Sequence, residues 1–117
     1  MTSDPVVGGV YSVARGEERR FGVVKVLAFQ PEANTVHARV FDRCANVRPE
    51  LAWFDDHTPG VLDNVLGVAI GTLPITTRVF MFWEPEYLFS QALTDTEQEL
   101  LDTYGVDAQP WDDLQYA

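Results

Sequence analysis

Beyond Arg78 the chain contains no lysine or arginine. Its eight basic residues (Arg15, Arg19, Arg20, Lys25, Arg39, Arg43, Arg48 and Arg78) are outnumbered by eighteen acids, leaving a formal net charge of −10. That balance excludes a nucleic-acid backbone or an anionic membrane as the expected partner, because both demand a basic footprint. Cysteine is nearly absent: Cys44 alone cannot form an intramolecular disulfide, so a reducing cytoplasm is the expected setting and a small buried or half-exposed thiol its expected role. Long apolar runs are missing as well. The longest, Val79 to Trp83, is five residues, against the roughly 20 needed to span a bilayer. The opening Met1-Thr2-Ser3-Asp4-Pro5 has no basic patch leading into an apolar core, so a secretory signal is not expected. The glycine pairs Gly8-Gly9 and Gly67/Gly71 lack the G-x-G-x-x-G spacing of a dinucleotide site and read as structural turns.

What is present suits one globular domain of 117 residues with 46% hydrophobic content. Val10 to Val13 alternates as a first strand, and Arg15-Gly16-Glu17-Glu18-Arg19 is a charged turn. Phe21 to Phe29 (FGVVKVLAF), rich in β-branched and aromatic residues, is the strongest strand signal. Pro31-Glu32-Ala33-Asn34 carries turn chemistry. Thr35 to Phe41 then alternates, with Val36, Ala38 and Val40 on one face and Thr35, His37, Arg39 and Phe41 on the other. These segments predict an antiparallel meander. The stretch Asp42 to Gly60 is broken by Arg48-Pro49 and Thr58-Pro59-Gly60 around a short apolar piece at Leu51 to Phe54, and Val61 to Leu66 reads equally as strand or helical turn. Gly67 to Leu73 predicts a buried strand ended by Pro74. Thr76 or Thr77 can cap a short helix bearing Phe80 and Trp83 on one face, stopped by Pro85, and Tyr87 to Leu93 reads as a last strand. Thr94-Asp95-Thr96-Glu97 is a capping box opening a helix to about Tyr104, with Leu100, Leu101 and Tyr104 inward, Asp95, Glu97, Glu99 and Asp102 on a solvated face, and Gly105 as its stop.

The expected fold is mainly β (α+β): a small twisted antiparallel sheet or SH3-like partly open barrel with a C-terminal helix, the alternative being a two-layer α+β sandwich. The expected organisation is a flexible N-terminus over 1–8, one domain over 9–104 and an acidic aromatic tail over 105–117.

The order Gly9-Val10-Tyr11-Ser12-Val13, Phe21 to Leu27, Val36 to Phe41, Arg48-Pro49, Gly67 to Ile75, Phe80, Trp83-Glu84-Pro85 and Leu93 to Tyr104 resembles a family of small uncharacterised bacterial proteins. Their pattern runs G-x-Y-x-V, VVKVL, VH-x-R, RP, G-x-G-H-LP, F-x-x-W-x-P and an acidic E-L-x-x-Y helix. The resemblance covers positions 9–104, departs at Thr72 where the family carries histidine, and implies a coherent fold without an activity. The glycine-led opening strands are also loosely similar to some polymorphic-toxin immunity proteins.

Two places draw functional attention. Lys25, His37 and Arg39 would share a sheet face, either as a cationic patch for an anionic ligand or as an ordinary solvated face. From Glu84 onward there are nine acids and no base, and the tail sets Trp111, Leu114 and Tyr116 among Asp112 and Asp113. Those tail residues either fold back on the body or anchor a partner. Other features read as structure: Asp55-Asp56-His57 as an exposed loop, since a metal site needs further converging ligands, and Phe80, Trp83 and Pro85 as packing. With no nucleophile or carboxylate spaced to serve His37, the chain reads as a non-catalytic protein-interaction module without cofactor or metal. It would bind a basic protein partner through the acidic C-terminal segment (Trp111, Asp112, Asp113, Leu114 and Tyr116), in the manner of an immunity protein or antitoxin. The alternative is a small-molecule or anion sensor around Lys25, His37 and Arg39.

Overall fold

The computed structural model describes residues 4–15, 20–41, 46–50, 69–104, 110 and 112. Among the described residues, five strands form one antiparallel sheet: β1 (Gly9–Arg15), β2 (Arg20–Gln30), β3 (Thr35–Phe41), β4 (Ala69–Thr76) and β5 (Glu86–Ser90), in the order β4-β3-β2-β1-β5. Among the described residues two helices accompany it, α1 (Thr77–Phe82) and α2 (Asp95–Tyr104). The mainly β, α+β architecture expected from the sequence is therefore present, in its open-sheet form: β4 and β5 do not pair with each other to close a barrel. Among the described residues, no helix is long and apolar enough to cross a membrane. The segment 51–68, which contains Asp55-Asp56-His57 and the ambiguous Val61 to Leu66, lies outside the described residues, as do Cys44 and Gly105.

The meander forms where alternation and turn chemistry place it. Pro31–Ala33 makes a single 3-10 turn, and Asn34 follows it in the left-handed region (φ 53°), which asparagine tolerates better than most residues. The pairing Val24↔Val40, Lys25↔Arg39, Val26↔Ala38 then sorts side chains strictly by face. A register shift between Val26 and Ala28 resets the alternation, so Phe29 returns to the Val36 side.

One face carries Tyr11, Val13, Val24, Val26, Val36, Ala38, Val40 and Ile75 and is covered by Val79, Phe80 and Trp83 from α1 and its C-terminal cap. Thr76 caps α1, its hydroxyl accepting from the Val79 N–H at 3.2 Å. The ring of Phe80 meets Tyr11 edge-on at 5.3 Å, and Tyr11 meets Tyr87 of β5 at 5.7 Å. Seating Phe80 and Trp83 on this face matches the packing role expected of them.

Three expectations change. The fourth strand continues through Pro74 to Thr76 instead of ending before it. Proline is tolerated because, among the described strands, β4 is the last on its side of the sheet, where an amide hydrogen is dispensable. The last strand starts at Glu86 and stops at Ser90, four residues before the helix cap at Thr94. Here Gly8, at φ 82°, donates to the Val26 carbonyl and accepts from Gln91 N–H, tying the lead-in of β1 to the end of β5. A β-carbon at Gly8 would sit 2.7 Å from the Gln91 carbonyl oxygen, so the approach requires glycine twice over.

The third change concerns the opposite face of the sheet. Alternation predicts it as solvated, yet Val10, Ser12, Val23, Lys25, Leu27, Thr35, His37, Arg39 and Phe41 are all buried on it. Glu97 and Leu101 of α2 are buried with them. Both faces of this sheet are interior.

Candidate functional site

The cross-strand pair Lys25↔Arg39 places two cations side by side on the second face. Helix α2 lowers one carboxylate onto both. Lys25 Nζ donates to Glu97 Oε1 at 2.7 Å, to the Ala92 carbonyl at 2.9 Å and to Gln91 Oε1 at 3.1 Å, which uses all three ammonium hydrogens. Arg39 Nη1 donates to Glu97 Oε2 at 2.6 Å, and its guanidinium lies 4.9 Å from the centre of the Phe41 ring. Side-chain exposure is 0% for both Lys25 and Glu97.

The same carboxylate closes the capping box. Thr94 N–H donates to Glu97 Oε1 at 2.9 Å, and Glu97 N–H donates to Thr94 Oγ1 at 3.1 Å. Glu97 was expected on the solvated face of its helix, but it is the residue through which that helix docks. Burial alone would raise its carboxyl pKa. The hydrogen bonds from Lys25, Thr94 N–H and Arg39 outweigh that and hold it below the ordinary value, so the anion is the resident form.

The structure thus brings Lys25 and Arg39 together, as their strand positions imply, but in the interior and on an internal counter-ion. His37 shares their face and is 3% exposed. Burial lowers its pKa, favouring the neutral imidazole, and its Nε2 is buried with no hydrogen-bond partner among the described residues. The Thr72 hydroxyl, on the neighbouring strand opposite Arg39, is likewise buried and unpartnered there. Neither a solvated face nor an open cationic patch describes these residues. Among the described residues, no group of three His, Cys, Asp or Glu side chains is placed to hold a metal ion.

Of the tail residues, Asp112 is described, and Trp111, Asp113, Leu114 and Tyr116 lie outside the described residues. Asp112 is folded back onto the start of α1. Arg78 donates to it through Nε (3.1 Å to Oδ1) and Nη2 (2.9 Å to Oδ2), and Nη2 also reaches the Asp112 carbonyl at 3.1 Å. Thr76 Oγ1 donates to Oδ1 at 2.7 Å. The Arg78 and Thr76 bonds hold the Asp112 carboxyl below its ordinary pKa. Both ion-pair side chains remain more than half exposed, at 61% and 55%.

The other C-terminal acids divide by position. Glu84, Glu86, Asp95, Glu99 and Asp102 are exposed. Glu86 stands 3.6 Å from Arg48, whose guanidinium stacks 5.0 Å from the centre of the Phe21 ring and donates to Ser12 and to the Glu84 carbonyl. Phe82 and Tyr87, both 53% exposed, flank Glu84 and Glu86 in sequence. This conjunction of aromatics and carboxylates was not singled out from sequence. Its signal was available in the run Phe82-Trp83-Glu84-Pro85-Glu86-Tyr87, but which aromatics face outward depends on α1 turning Phe80 and Trp83 inward.

No protein-family model matches this chain, and no curated protein and no solved structure matches it either.

Proposed function

We propose that the chain is a protein-interaction module that receives a basic partner on the acidic surface of its C-terminal part. One observation carries the reading. In the last third of the chain, which contains no base, Glu97 is drawn into the interior while Glu84, Glu86, Asp95, Glu99 and Asp102 stay at the surface. A field of one sign steers an oppositely charged partner and sets register when it arrives. The sharper form is a bacterial immunity or antitoxin protein working in the cytoplasm, where clustered carboxylates cover the basic surface of a toxin. The loose likeness of the opening strands to immunity proteins and the single cysteine support that form.

The test is complex formation with the purified partner, using wild type and an Asp95→Asn/Glu99→Gln/Asp102→Asn variant. A fall in affinity for the variant, together with steep weakening by salt, is the expected result. Equal affinity for both proteins between about 50 and 300 mM salt would refute the acidic-surface reading. The second reading, an anion sensor at Lys25, His37 and Arg39, has less support: all three ammonium hydrogens of Lys25 are already bonded, and Arg39 is held by Glu97.

A further inference from the structure

We infer that Asp112 is a recognition site for a guanidinium group, and that Arg78 occupies it in cis as a competitor of the partner's arginine. The inference rests on the interaction-module reading and specifies its chemistry. Asp112 presents both carboxylate oxygens to one arginine. Oδ1 takes Nε at 3.1 Å and Oδ2 takes Nη2 at 2.9 Å, which is the two-pronged fork that only a planar guanidinium can supply. The backbone adds a further acceptor, since the Asp112 carbonyl takes Nη2 at 3.1 Å. Thr76 Oγ1 steadies Oδ1 from the protein side at 2.7 Å while accepting from Val79 N–H at 3.2 Å, so the hydroxyl that starts α1 also aims the carboxylate.

The fork is built for arginine, yet it is open to water on both partners. Exposed pairs of this kind exchange readily and weaken with salt. Arg78 is moreover the last base in the chain, so the segment that follows has no arginine or lysine of its own with which to fill the site. An incoming arginine therefore meets a carboxylate that is already oriented, and has one tethered rival to displace. With the rival bound for half to four-fifths of the time, the apparent affinity falls by roughly two- to fivefold relative to an unoccupied site.

The experiment uses the full chain with nona-arginine and nona-lysine peptides as probes, followed by calorimetry at about 50 mM salt. Wild type is compared with Arg78→Gln, Asp112→Asn and Arg20→Gln, the last removing one exposed positive charge elsewhere.

The expected result has four parts. Arg78→Gln binds nona-arginine roughly two- to fivefold more tightly than wild type. Asp112→Asn binds it more weakly. Nona-lysine discriminates less among the variants, because an ammonium cannot fork. Arg20→Gln raises both affinities alike and only slightly. If Arg78→Gln matches Arg20→Gln, or if Asp112→Asn binds nona-arginine like wild type, the competition is refuted while the acidic-surface reading stands. If neither peptide binds any of the proteins, both fall.

Discussion

Replacing Glu97 with glutamine removes one charge and almost no volume, and the consequence follows from what surrounds it. The carboxylate is fully buried with Lys25 and is also bonded to Arg39 and Thr94 N–H. Glutamine can still serve the capping box through its carbonyl oxygen, so the helix start survives, while its amide NH2 replaces the oxygen that accepts from Arg39 and the charge is lost. Lys25 then keeps Gln91 and Ala92 as acceptors but loses its counter-ion in a site without water access. Removing one partner of a buried pair costs about 3–5 kcal/mol. A chain of this length has about 6–18 kcal/mol in total, so the loss is a large share of it and amounts to about 12–20 °C in Tm. Thr94→Ala is the comparison: it deletes the cap hydroxyl and leaves the ion pairs, for about 1 kcal/mol. The cap and the charge are thereby separated, and the charge is the larger effect. Urea unfolding at pH 7 measures both, with the Lys25→Met/Glu97→Gln double variant to complete the comparison. The double variant should recover part of the loss, because methionine at position 25 strands no charge there and only Arg39 is left without its carboxylate. A loss under about 1 kcal/mol for Glu97→Gln, or a double variant less stable than the single, would refute the account of Glu97 as the docking anion of α2.

Three further outcomes follow. Acid should destabilise the fold in two ranges: His37, whose folded pKa is depressed, contributes stability that is full above about pH 6.5 and lost as pH falls toward the folded value. Glu97, also depressed, contributes stability present above its unfolded pKa and lost at lower pH as its folded value is crossed. His37→Leu should flatten the upper range in urea titrations from about pH 8 to 5, and an unchanged slope would exclude His37 as its source. Phe80→Ala removes the ring that joins α1 to Tyr11 and should cost about 3–5 kcal/mol by thermal unfolding, whereas a cost near that of a surface change would mean α1 is not anchored there. Gly8→Ala should cost more than about 1 kcal/mol, from positive φ and from the clash with the Gln91 carbonyl, and a neutral result in the same assay would disprove the close approach.

The elements this sequence determined by itself are those whose cause is local. Alternation in Thr35 to Phe41 depends on nothing beyond the strand, and that strand forms with those bounds. Asn34 in the left-handed region, Thr76 as a helix cap and both halves of the Thr94–Glu97 box are likewise decided within a few residues of chain. Charge segregation is also fully present in the order of residues. What the sequence could not decide was the destination of each face. Lys25 sits in a run of apolar neighbours, and nothing local distinguishes a solvated lysine from a buried one. Its burial requires a carboxylate 72 positions away, and that carboxylate arrives only when α2 folds across the second face. Pro74 is similar: local chemistry ends a strand there, but position at the side of the sheet permits it. The outward aromatics, Phe82 and Tyr87, and the Asp112–Arg78 fork likewise depend on how α1 sits on the sheet. Short-range hydrogen bonding and alternation are written along the chain, whereas the pairing of buried charges and the exposure of surface ones are properties of packing, because desolvation is set by every neighbour at once.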